Sequence, residues 1–127
     1  MIDDKLTKTI IACAFKVYNT LGGGFLESVY QKALSIELKK SGLIAVNEQP
    51  ITVYYEGQLV GSYFADIVVE NSVILELKSL ESLAKIHEVQ LVNYLKATGF
   101  DLGLLINFGP MNVTIKRKIR CCSTLTG

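Results

Sequence analysis

With 127 residues, half of them apolar and a fifth charged, the chain suits one globular core spanning residues 1–127 and is too short for two. A formal charge of +1 speaks against strong nonspecific nucleic-acid affinity, though not against a local basic groove. No apolar run approaches the ~20 residues of a membrane span, and Met1-Ile2-Asp3-Asp4-Lys5 lacks a signal peptide's basic opening, so a cytoplasmic location without membrane partners is expected.

Leu6, Ile10, Ala14, Val17 and Leu21 recur at helical spacing, with Asp3 or Asp4 as N-cap, and Gly22-Gly23-Gly24 ends this first helix. Cys13 falls within the apolar pattern and reads as core. A second helix starts near Phe25 or Leu26 and turns Val29, Tyr30, Ala33, Leu34 and Leu38 inward. Lys39 and Lys40 then sit at the negative end of its dipole, with Gly42 beyond. From Ile44 the period changes. Ile44–Val46 and Ile51–Tyr55 read as two strands, with Pro50 marking an edge or a break between them. Glu56-Gly57-Gln58 turns the chain into a long strand, Leu59–Val69, and Glu70-Asn71-Ser72 turns it again into Val73–Lys78.

A third helix runs from Ile86 to Thr98 and stops at Gly99. Leu102–Phe108 is nearly all apolar, as expected of a buried central strand, and Val113–Ile119 is a more amphipathic last strand. The order ααββββαββ implies an α/β fold, a mixed sheet with helices packed against it. Cys121 and Cys122 lie in what reads as a frayed tail and receive no role.

Asp66, Glu76 and Lys78 stand inside apolar strands, where an unpaired charge is expensive. If Glu70-Asn71-Ser72 forms the whole turn, Val69 pairs with Val73 and Asp66 lies opposite Glu76. The strand period of two puts Lys78 on the same face. Two adjacent carboxylates repel and one lysine cannot neutralise both, whereas a divalent cation can. A metal-dependent site follows.

Asp66, nine intervening residues and then Glu76-Leu77-Lys78 resemble the signature of the PD-(D/E)XK nuclease superfamily. Gly24-Phe25-Leu26-Glu27-Ser28-Val29-Tyr30 resembles the GxxExxY string that names a family of small prokaryotic proteins within it. His87–Leu95 and Leu104–Gly109 look like that family's third-helix segment and last core strand, so the resemblance extends from about Ile11 to Ile119. One departure is Ala65-Asp66 where the superfamily has Pro-Asp; only the Asp is charged.

The resemblance implies a restriction-endonuclease-like mixed sheet. It also implies hydrolysis of a nucleic-acid phosphodiester, DNA ahead of RNA, with Asp66, Glu76 and the Leu77 carbonyl holding Mg²⁺ or Mn²⁺. Glu27 becomes an auxiliary carboxylate, although a helix's first turn favours an acid in any case. Lys78 is expected to orient water or stabilise phosphate charge, and Gln90, on a stripe with His87 and Tyr94, to hold the water or a phosphate oxygen. Tyr30 reads as core or as support for the site, and His87 as a residue of the helix start. The run Lys116, Arg117, Lys118 and Arg120 reads as a charged edge. The competing functions are a noncatalytic nucleic-acid or protein interaction module on the same fold and, more remotely, a small-molecule phosphohydrolase. A homodimer would lengthen a substrate groove.

Overall fold

The computed structural model describes residues 4–120, so the Cys121-Cys122 pair and Asp3 lie outside the described residues. Two helices, α1 (Asp4–Leu21) and α2 (Glu27–Lys40), precede strands β1 (Ala45–Tyr55), β2 (Gln58–Val69) and β3 (Val73–Lys78). Helix α3 (Lys85–Thr98) then leads to β4 (Leu102–Phe108) and β5 (Val113–Ile119). The sheet order is β1-β2-β3-β4-β5. All neighbours are antiparallel except β3 and β4, whose parallel pairing requires a crossover, supplied by α3. The expected mixed sheet flanked by helices is present, with one difference in the strands. Ile44–Val46 and Ile51–Tyr55 merge into the single strand β1, in which Pro50 pairs with Phe64. β1 is an edge strand, a position in which proline is tolerated.

The central strands are apolar because both sheet faces are covered. On one face α1 and α2 pack Ile10, Val17, Tyr30 and Leu34 against Leu75, Leu77, Leu104 and Phe108. On the other, Leu91, Tyr94 and Leu95 of α3 cover Val68, Ile74 and Leu105. In β3 the odd positions Val73, Leu75 and Leu77 face the helix pair. Ile74 faces α3, and Glu76 and Lys78 share its parity. Each of these fully buried side chains contributes about 1.5–3 kcal/mol of transfer free energy, enough to hold β3 in place despite the charges it carries.

The glycine run is a packing device. Tyr30 is fully buried, stacks on Phe108 with ring centroids 4.5 Å apart, and its hydroxyl donates to the Gly22 carbonyl at 2.6 Å. Gly22 and Gly24 have φ of 71° and 101°, in the region that favours glycine. A Cβ on Gly23 would lie 2.7 Å from the backbone oxygens of both Gly109 and Pro110. The loop therefore lies flush on the β4–β5 turn and fixes where α2 begins. Asn107, buried on β4, holds the other side of that end: its Oδ1 accepts from the Leu80 N–H at 2.9 Å and its Nδ2 donates to the Leu80 carbonyl at 3.0 Å. Gly23→Ala should destabilise the protein by about 1–3 kcal/mol, because backbone rather than a flexible side chain must move; urea denaturation reads the loss.

Candidate active site

The β2–β3 ladder is short. It runs through Val69↔Val73, Val68↔Ile74 and Ile67↔Leu75. β3 continues in register with β4 as far as Lys78↔Asn107, while β2 continues with β1. The sheet forks there, and side chains replace the missing backbone bonds. The Asp66 N–H donates to Glu76 Oε2 at 3.2 Å, and the Leu77 N–H donates to Asp66 Oδ2 at 2.8 Å. The two carboxylates meet as the hairpin register implies, each engaged by the other strand's backbone.

Burial dominates their electrostatics. Glu76 is only 7% exposed, and burial first, then the Asp66 charge, pushes its carboxyl up to about 8. Asp66 is half-buried and also raised, by burial first; its bond from the Leu77 N–H opposes this, while Glu27 and Glu48 add to the rise. Lys78 is half-buried and pulls both acids down only weakly. It forms no ion pair with either acid among the described residues. A closed structural ion network of Asp66, Glu76 and Lys78 is therefore not what the chain builds.

Glu27 opens α2 and is exposed, yet its charge reaches both acids. Among the described residues no three His, Cys, Asp or Glu side chains stand together as a ready metal cluster. In this arrangement Glu27 contributes field to the Asp66–Glu76 pair. Two further polar residues border the pair that sequence reasoning missed. Gln31 donates from Nε2 to the Asp66 carbonyl at 2.8 Å and to Glu48 Oε2 at 2.7 Å. Its signal was available, since Gln31 lies four residues after Glu27 on the same helix face. Glu48 had none: it is an exposed acid with φ of 55°, between the Asn47↔Ile67 and Gln49↔Ala65 pairs and so abreast of Asp66.

On α3, Gln90 is half-buried, and its side-chain amide has no hydrogen-bond partner among the described residues. Tyr94 is buried against Tyr63, with centroids 5.5 Å apart, and burial followed by the Glu76 charge raises its hydroxyl to about 12. His87 accepts from the Ala84 N–H at 3.0 Å, which makes it a residue of the helix start. Three of the four cations of the basic run are tied down: Arg117 pairs with Asp4, Lys118 with Glu88 and Arg120 with Asp101.

The donor chemistry fits a hard divalent cation. Asp66 and Glu76 supply carboxylate oxygens, and the mutual repulsion that now favours a proton would be relieved by Mg²⁺ or Mn²⁺. In the metal-free protein, Glu76 keeps a proton between pH 4.5, its ordinary value, and about 8 that the unfolded chain has released. Its contribution to stability is thus complete below the lower value and is lost as pH rises through the upper one. Chemical denaturation in chelator should show native stability falling by something on the order of 2–4 kcal/mol from pH 5 to pH 8, with the decline largely absent in Glu76→Gln.

The sequence matches the family description of the PD-(D/E)XK nuclease superfamily over residues 4–118. A solved structure, "Crystal structure of SSO0001", is similar in fold, with a TM-score of 0.60 at 19% identity over 76% of this chain. This chain spans 50% of the length of that one. No curated protein matches the sequence. The forked mixed sheet and its helices are thus a restriction-endonuclease-like fold, and with the family match over nearly its whole length the chain belongs to the PD-(D/E)XK nuclease superfamily.

Proposed function

We propose that this chain is a cytoplasmic, metal-dependent nuclease of the GxxExxY type, a single domain over residues 1–127 that hydrolyses nucleic-acid phosphodiesters, DNA ahead of RNA. The observation that carries the reading is the Asp66–Glu76 pair at the sheet fork, partly buried and with no lysine ion-paired to it among the described residues. Structural stability gives little reason to keep such a pair, because a buried charge cluster adds little net free energy.

Asp66, Glu76 and the Leu77 carbonyl would hold Mg²⁺ or Mn²⁺, with Glu27 a further carboxylate if α2 closes on the site. Bound there, the cation would polarise a phosphoryl oxygen and acidify a water. The chain's own groups do the rest. Lys78 stabilises charge that builds on the phosphate, and Gln90, whose amide has no side-chain partner among the described residues, positions the water that attacks phosphorus while the P–O bond to the leaving oxygen breaks. Gln31 steadies the Asp66 backbone.

A noncatalytic interaction module on the same fold is favoured by one observation, the lack of a preassembled third metal-binding side chain among the described residues. Turnover separates the two. With Mg²⁺ or Mn²⁺ the protein should cleave DNA or RNA, and chelator should stop it. Asp66→Asn, Glu76→Gln and Lys78→Ala should each lower the rate by about 10²–10³-fold or more with circular dichroism unchanged. Gln90→Ala should cost about ten-fold. Cleavage that persists in the first three variants removes this site.

A further inference from the structure

The distal halves of β1 and β2 pair only with each other: β2 joins β3 first at Ile67, whereas its pairing with β1 extends to Tyr55↔Gln58. This two-stranded arm leans on α3 through Tyr63 and Tyr94, and a groove of about 770 Å³ lies between arm and helix. Its walls differ in chemistry from the carboxylate site beside them. Tyr54 and Tyr63 project from the arm, 61% and 45% exposed. Gln90 and Asn93, one turn apart, present amides from α3, and Lys96 adds a cation. Among the described residues, no Asp or Glu lines the groove. Tyr94 is a wall of the groove and lies within electrostatic reach of Glu76 and Asp66, so the groove and the carboxylate pair adjoin.

We infer that this groove binds a single strand of nucleic acid through its unpaired bases, delivering the adjoining phosphodiester to the Asp66–Glu76 site. The inference rests on the nuclease reading and specifies its substrate class. Duplex recognition is built on several phosphate contacts from Lys and Arg, and this groove offers one lysine. Exposed tyrosine rings instead supply faces for stacking, which paired bases, already stacked on one another, cannot use. The amide of Asn93 carries both donor and acceptor, suited to the edges of bases not occupied by pairing, while Gln90, one turn before it, stays with the attacking water. The volume falls within the range for compact organic ligands, so it accommodates one or two nucleotides and is too small to enclose a double helix. Among the described residues the walls carry Lys96 and no carboxylate, so they add no repulsion of a polyanion to that of the adjoining acids.

Fluorescence anisotropy in chelator, where no cleavage occurs, tests binding apart from catalysis. The probes are a labelled 12-nucleotide single strand, its duplex and an abasic strand of equal length. The full-length chain should bind the single strand at least about ten-fold more tightly than either of the others. Tyr54→Ala should weaken single-strand binding by about 5- to 100-fold, and Tyr54→Phe should retain it, because the ring rather than the hydroxyl stacks. Equal affinity for the abasic strand, preference for duplex, no binding, or indifference to Tyr54→Ala each overturn the inference. So does a Tyr54-dependent dimer, seen by sedimentation, that fills the groove. If the groove fails these tests while Asp66-dependent cleavage persists, the nuclease reading stands alone. If binding holds and cleavage is absent, the groove stands and the nuclease reading falls.

Discussion

Where β2 parts from β3, the N–H groups of Asp66 and Leu77 are taken up by the carboxylates of Glu76 and Asp66. This exchange of ladder bonds for side-chain bonds is the constraint on which the rest of the site depends. It places two acids face to face at the open end of a fork, where each is half or more buried and neither can turn away without abandoning a backbone donor. A lone buried carboxylate would keep a proton and stay inert. Two of them, with Lys78 outside any ion pair among the described residues, repel each other, so Glu76 favours a proton that a divalent cation would displace.

The remainder of the fold holds that fork in position. β3 is locked on one side by its parallel register with β4 and on both faces by apolar packing, so Glu76 has little freedom to relax outward. Asn107 ties the segment after Lys78 through the two backbone groups of Leu80. On the other side, the glycine loop and Tyr30 set the start of α2, which brings Glu27 and Gln31 to the flank of Asp66. The turn between the strands carries its own strain, with Glu70 and Asn71 at φ of 53° and 48°. It is compensated where the Glu70 carboxylate accepts from the Ile44 N–H at 2.6 Å and its own N–H donates to the Ile44 carbonyl at 2.8 Å.

Much of this was legible in the order of residues because it follows from periodicity and turn length. The three-residue turn dictated the Val69–Val73 register and hence the meeting of Asp66 and Glu76. Leu102–Phe108 was bound to be central, since no polar face exists along it. Pro50 was ambiguous, because its cost depends on which edge of the strand meets a neighbour, a tertiary fact. Glu48 was invisible for a related reason: it joins the site through a strand pairing distant in sequence and a left-handed backbone, neither of which leaves a local pattern. Tyr94 looked like one member of a helical stripe. Its contact with Tyr63 depends on how far the β1–β2 arm leans over α3, which no local spacing encodes.

The central claim is that the fork holds Glu76 protonated until a divalent cation replaces the proton. Carbon-13 NMR of the glutamate side-chain carboxyls, assigned through Glu76→Gln and followed against pH with and without Mg²⁺, measures it directly. A Glu76 carboxyl that is neutral at pH 7, titrates near about 8 without metal and becomes ionised at pH 7 when Mg²⁺ is added agrees with the account. One that is already ionised at pH 6 without metal, or that does not respond to Mg²⁺, contradicts it.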